Sequence, residues 1–170
     1  MSENSGFSEE SLRRIASQKI SYRVSVKLHI AIFITVNILL YLVNILATPG
    51  LYWIIYPFFS WLIGINMHAI GYLLYARGVY PMAKRGVIFH VVSFVSVMLF
   101  LFIINFTTLP DYYWVIFPSI FWGTGVALHI IIYIHFFSGK VEKSGKYSSR
   151  KERAIEKELE KMRKKQQKNN

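Results

Sequence analysis

Four stretches of this chain contain no Asp, Glu, Lys or Arg: Leu28–Ala47, Leu51–Ala76, Gly86–Thr108 and Tyr112–Phe137. Each reaches or passes the ~20 residues that an α-helix needs to cross the hydrocarbon of a bilayer. Buried strands are far shorter, and a soluble core does not need apolar runs of this length. The first run starts too far from Met1, and is too long, to be the apolar part of a cleavable signal. The expected class is an all-α membrane protein with four transmembrane helices.

Charge orients them. The formal net charge of +11 lies wholly outside the runs. Arg13, Arg14, Lys19, Arg23 and Lys27 precede the first run, Arg77, Lys84 and Arg85 sit between the second and third, and twelve basic residues follow Phe137. The two remaining connections, around Pro49 and Pro110, have none, and Asp111 is the sole charge there. Basic loops stay cytoplasmic, so the expectation is a multi-pass protein of the cell membrane with both termini and the middle loop inside. Arg23, Lys27, Lys84 and Arg85 are then expected at the lipid surface.

A shift of 61 residues lays the second half on the first without a gap. It pairs His29 with His90, Asn44 with Asn105, Pro49 with Pro110 and Trp53 with Trp114. It continues through Pro57/Pro118, Trp61/Trp122, Gly64/Gly125, His68/His129 and Tyr72/Tyr133. Both copies enter from the same side, which predicts two tandem hairpins related as parallel repeats. His29, Phe33, Val36, Leu40 and Asn44 form one helical stripe, and Pro57, Trp61, Gly64, His68 and Tyr72 another. These stripes are the expected packing faces, with Trp61, Trp122, Asn44 and Asn105 at contacts and Gly64 and Gly125 allowing close backbone approach. Pro57 and Pro118 either start or gently kink their helices. Trp53, Trp114, Tyr112 and Tyr113 read as an outer aromatic belt.

The spacings His29-x6-Val36-Asn37 and Trp114-x3-Pro118-x3-Trp122-Gly123-x-Gly125-x3-His129 closely resemble the prokaryotic 2TM domain family. The resemblance covers roughly residues 20–76 and 82–137, so the chain resembles two such domains in tandem. Met98 replaces Asn37 in the second copy, and Leu62 stands where that copy has Gly123. The resemblance implies a helix pair with a histidine near its start and another near its end. It implies no shared activity, since the domain occurs in varied contexts.

The repeated histidines are the main candidates for chemistry. His29 lies 20 residues before Pro49 and His68 lies 19 after it, so the two are level within ~1.5 Å of helical rise. His90 and His129 stand likewise about Pro110, so one layer of four is expected, in runs with no other side chain that titrates near neutrality. Three readings are open. In the first the rings hydrogen-bond to Tyr72, Tyr133, Asn37, Asn66, a backbone carbonyl or each other; in the second a diagonal pair ligates a b-type haem; in the third they share a divalent metal. One four-helix bundle uses only two of the four for haem, and no carboxylate is present to neutralise a metal. The absence of cysteine excludes disulfides, iron–sulfur clusters, thiolate zinc and covalently attached c-type haem. His135 meets Leu74 under the repeat and is expected as an interfacial residue.

Outside the runs, Ser8 is a candidate cap for a short amphipathic N-terminal helix bearing Leu12, Ile15 and Ala16, lying on the inner leaflet before helix one. Gly, Ser and Lys mark 138–148 as a flexible linker. Ser149-x-x-Glu152 is a capping box opening a charged helix to about Gln166. The resulting division is a cytoplasmic segment (1–25), a first hairpin (26–76), a loop (77–85), a second hairpin (86–137) and a basic cytoplasmic tail (138–170). No nucleotide-binding loop or nucleophile–base–acid set is found, and an enzyme is not expected. The expected function is a small membrane scaffold or signalling protein that presents a basic tail; haem-based electron transfer is the alternative. Expected partners are the bilayer, its anionic lipids and a cytoplasmic protein docking on the tail, with association between copies open. Nucleic acid is disfavoured, because no base-stacking aromatics accompany the basic run.

Overall fold

The computed structural model describes residues 8–78, 82–141 and 147–169. Its main elements are α1 (Glu9–Ala47), α2 (Ile55–Ala76), α3 (Met82–Thr108), α4 (Ile116–Ile132), a π turn (Tyr133–Phe137) and α5 (Arg150–Asn169). The first four helices, with the π turn completing the fourth, are long and apolar enough to cross a membrane. Along the chain each packs on the next: α1 on α2, α2 on α3 and α3 on α4, whereas α1 and α4 share no extended contact.

The N-terminus departs from expectation. Among the described residues no separate helix lies ahead of helix one; α1 runs unbroken for 39 residues. Its sequence contains neither Gly nor Pro, so nothing local ends it. At 1.5 Å per residue it is about 58 Å long, more than the ~40–45 Å of a whole bilayer. Tertiary contacts hold the extra turns. Tyr75 donates to Gln18 Oε1 at 3.0 Å, its ring lies 5.4 Å from that of Tyr22, and Arg23 Nε donates to the Tyr72 hydroxyl at 3.2 Å. Ser8 caps the helix as expected, accepting from the Ser11 amide at 3.3 Å.

The expected stripe of α1 is its buried side: Phe33 and Asn44 are buried, and His29, Val36 and Leu40 are half-buried. Asn44 and Asn105 do more than pack. Asn105 Oδ1 accepts from the Val115 amide at 3.0 Å, while Nδ2 donates to the Leu109 and Tyr112 carbonyls at 2.8 Å each. One side chain thereby serves the end of α3, the connecting turn and the start of α4, groups that helix ends leave without intrahelical partners. Asn44 repeats the arrangement, accepting from the Ile54 amide at 3.2 Å and donating to the Leu51 carbonyl. Pro57 and Pro118 fall in the first turns of α2 and α4, where a missing amide hydrogen costs nothing, so they begin these helices.

The glycine reading needs correction. A methyl group added at Gly64 or Gly125 would meet nothing within 4 Å, so neither marks a close approach. A Cβ added at Gly71 would instead lie 3.6 Å from the Phe89 ring, and one at Gly123 3.4 Å from the Phe94 ring. These glycines belong to the α2–α3 and α3–α4 contacts and are not a repeated pair; position 62 is leucine.

The segment 138–148 also differs from a plain linker. Two short strands, β1 (Lys140–Val141) and β2 (Tyr147–Ser148), pair antiparallel before α5. The capping box is formed: Ser149 Oγ accepts from the Glu152 amide at 3.2 Å and Glu152 reaches back to the Ser149 amide at 3.5 Å.

The buried asparagines should separate sharply on substitution. Asn105→Leu removes the partners of three backbone groups and is expected to destabilise by on the order of 2 kcal/mol. Asn37, 8% exposed, bonds only the carbonyl of Phe33 in its own helix, and its Oδ1 has no hydrogen-bond partner. Asn37→Leu is therefore expected to be neutral or stabilising. Thermal unfolding of the two variants in detergent checks this ordering.

Candidate functional site

The four repeated histidines form two pairs, one in each hairpin. In the second, the two Nδ1 atoms of His90 and His129 lie 2.9 Å apart, and Trp122 Nε1 donates to His90 Nε2 at 2.8 Å. In the first, Trp61 Nε1 donates to His29 Nε2 at the same 2.8 Å, and the rings of His29 and His68 meet edge to face with centroids 4.9 Å apart. The level match about each proline thus brings each pair together. It does not gather all four: no group of three or more metal-ligating side chains occurs among the described residues.

The indole partners determine the tautomers. A tryptophan N–H can only donate, so Nε2 of His90 must carry a lone pair, and a neutral ring then has its hydrogen on Nδ1. That hydrogen points at His129 Nδ1, which accepts, leaving the hydrogen of His129 on Nε2. The bonds form one directed chain, from Trp122 to His90 to His129. The same argument places the hydrogen of His29 on Nδ1.

These tautomers do not suit the ligands considered from sequence. Ligation through His90 Nδ1 would move its hydrogen to Nε2, where it would face the Trp122 N–H, donor against donor. Ligation through Nε2 would displace the indole. Nor is there room between His90 and His129 for an ion, since each bond from an imidazole nitrogen to a metal is ~2.0–2.1 Å and the two nitrogens are 2.9 Å apart. His29 and His90 therefore do not fit haem ligation while their indole bonds hold, and the His90–His129 pair does not fit a shared metal. They fit interhelical hydrogen bonding.

The partners differ from those expected. Asn66 donates to Ser96 Oγ at 3.1 Å, linking α2 to α3. Asn37 bonds its own helix and Tyr72 serves Arg23. Trp61 and Trp122, read as packing residues, are the polar partners of the histidines. The signal was available: a donor-only indole retained beside a repeated histidine in both copies needs an acceptor.

At the same end of the spans as the histidines, Arg23, Lys27 and Lys84 are exposed, while Arg85 is half-buried with its Nε enclosed and without a hydrogen-bond partner among the described residues. A Cβ added at Gly86, beside it, would lie 3.9 Å from His129 Cε1. His135 sits in the π turn against Arg150.

The tautomer assignment is directly measurable. Nitrogen-15 spectra of the purified protein should show unprotonated Nε2 on His29 and His90, and Trp122→Phe should shift His90 toward a mixture of tautomers. After expression with added haem, the wild-type protein should show no Soret band. A protonated His90 Nε2, or a Soret band lost in the His29→Ala/His90→Ala variant, would contradict the assignment.

Nothing among curated proteins or solved structures matches the chain. A family model does: that of the 2TM domain, over residues 14–78 and again over 82–160. The second match runs past the last span into α5, and the first begins upstream of the apolar run. The two matches cover most of the sequence, one over each copy of the repeat, so the chain belongs to the 2TM domain family and carries two copies of its domain.

Proposed function

We propose that this membrane protein is a scaffold or signalling adaptor of the cell membrane, lying with both termini in the cytoplasm, whose two parallel hairpins hold a basic helix at the inner surface for a cytoplasmic partner. The observation that carries the reading is the state of α5. Its described side chains are exposed along the whole helix, including Ile155 at 49%, Leu159 at 41% and Met162 at 50%. Its contacts with the membrane-spanning body run through the π turn. Residues 138–170 hold twelve basic and five acidic side chains. An apolar stripe set among charges is the usual form of a docking helix, and the excess of positive charge favours an acidic partner surface.

The body supports this role by what its polar groups do. The histidines are engaged with indoles and with each other, so the membrane interior serves as a frame. No enzymatic role is part of the reading.

Deleting residues 140–170 should abolish capture of the cytoplasmic partner by crosslinking while leaving the thermal unfolding of the body unchanged. Ile155→Ser/Leu159→Ser/Met162→Ser should have the same effect without shortening the chain. An unaltered set of crosslinked partners in both variants rules out the docking role.

Orientation has its own test, made simple because the chain has no cysteine. Asp111→Cys should react in intact cells with a membrane-impermeant maleimide, and Gln166→Cys only after the cells are opened. The reverse pattern places the tail outside.

A further inference from the structure

The end of α4 carries chemistry that the repeat does not account for. The helix closes in a π turn, Tyr133–Phe137, a wider turn that often accompanies functional sites. Within it His135 has no counterpart in the first copy, where Leu74 is buried. Arg150, the first residue of α5, places Nη1 2.6 Å from His135 Nε2 and 3.0 Å from Nδ1. Lys151 lies over the Phe137 ring at 5.4 Å. The start of α5 is thus fastened to the end of a membrane-spanning helix.

Between them opens a cleft of about 580 Å³, lined by Ile131, Ile134, His135, Ser138, Arg150 and Arg153. Its polar wall has two guanidinium groups, an imidazole and a hydroxyl, and no carboxylate among the described residues. Arg150 and Arg153 are three residues apart on one helix, where like charges are neighbours and repel. Arg150 directs one nitrogen at His135, and its other N–H groups are available for a second acceptor. The opposite wall is apolar: Ile131 and Ile134 are each 60% exposed and belong to the last two turns of the span.

We propose that this cleft binds the headgroup phosphate of an anionic phospholipid. Paired guanidinium groups suit phosphate oxygens, which they can engage in bidentate fashion, and the Ser138 hydroxyl can donate to a third oxygen. The height is that of the headgroup layer, because the cleft straddles Phe137, where the apolar span ends. The isoleucine wall distinguishes a lipid from a free anion: an acyl chain covers Ile131 and Ile134, and inorganic phosphate leaves them bare. A bound lipid also offsets the repulsion between the two arginines and sets where α5 leaves the membrane. The site does not depend on a protein partner for the tail, so it stands or falls separately from that reading.

The test uses the full chain in mild detergent, loaded with equal amounts of phosphatidylglycerol and phosphatidylcholine of matched acyl chains and read by native mass spectrometry. Wild type should retain phosphatidylglycerol with a preference of about tenfold or more, the scale that two arginines at a lipid surface supply. Arg150→Gln/Arg153→Gln should lose that preference. Lys161→Gln/Lys164→Gln removes the same charge from the tail but acts at surface pairs with Glu158 and Glu160, at 3.1 and 3.0 Å, and should keep it. Equal retention of both lipids by wild type overturns the proposal. So does an equal loss in the two double variants, which would make the effect one of diffuse tail charge. Displacement of the lipid by excess inorganic phosphate, with no dependence on Ile131→Ser/Ile134→Ser, would reassign the cleft to a soluble anion.

Discussion

Within hydrocarbon no water is available to a polar group, so each such group must find its partner inside the protein. The turns between paired helices meet this constraint through Asn44 and Asn105. Each is almost fully enclosed, at 3% and 2% exposed, and each joins one helix end, one turn and the next helix start. The same rule explains the histidines. An imidazole has one donor and one acceptor when neutral, and the Trp122–His90–His129 chain engages both nitrogens of the central ring. Hydrogen bonds between membrane helices are individually modest, at roughly 0.6–2 kcal/mol. Their value here is geometric, since each sets the register of one helix against another.

The repeat divides these bonds into two kinds. Among the bonds within one copy, those of Asn44 and Asn105, of His29 with Trp61 and of His90 with Trp122 use positions that the copies share. Bonds between hairpins use positions where the copies differ. Asn66, which donates to Ser96, corresponds to Ala127, and Ser96 corresponds to Thr35. Tyr56, 3.1 Å from Thr107 Oγ1, corresponds to Phe117, and Thr107 to Leu46. The α2–α3 seam is therefore where the copies have diverged toward polarity. The equivalent positions on α1 and α4, helices without extended mutual contact, include the apolar residues Leu46, Phe117 and Ala127. Two identical hairpins could not have one polar seam and one apolar outer face; divergence supplies the difference.

Much of the site is legible in the sequence, for reasons that particular residues make clear. Rise per residue is constant, so equal distances from Pro49 and Pro110 brought His29 to His68 and His90 to His129. Ser8 and the Ser149–Glu152 box act over three residues, and such local bonds follow from spacing alone. Long-range partners were less accessible. The reach of an indole across a helix interface depends on interaxial distance and rotamer, so spacing places Trp61 and Trp122 on the packing face without naming the imidazoles they meet. A small residue permits close approach without requiring it, and Gly64 and Gly125 have no close neighbour. The length of α1 shows the same limit: the lack of Gly and Pro allows a continuous helix, but the contacts of its N-terminal turns with Tyr72 and Tyr75 are tertiary.

The amino-acid order determined the number of spans, the repeat, the caps and the pairing of levels within each hairpin. These depend on hydrophobicity and helical periodicity, which act along the chain. Tertiary structure decided which nitrogen faces which donor, where the two hairpins bond, and that Arg150 and Arg153 share a cleft with His135. Those outcomes depend on directions and distances between segments far apart in sequence, and a one-dimensional pattern contains neither.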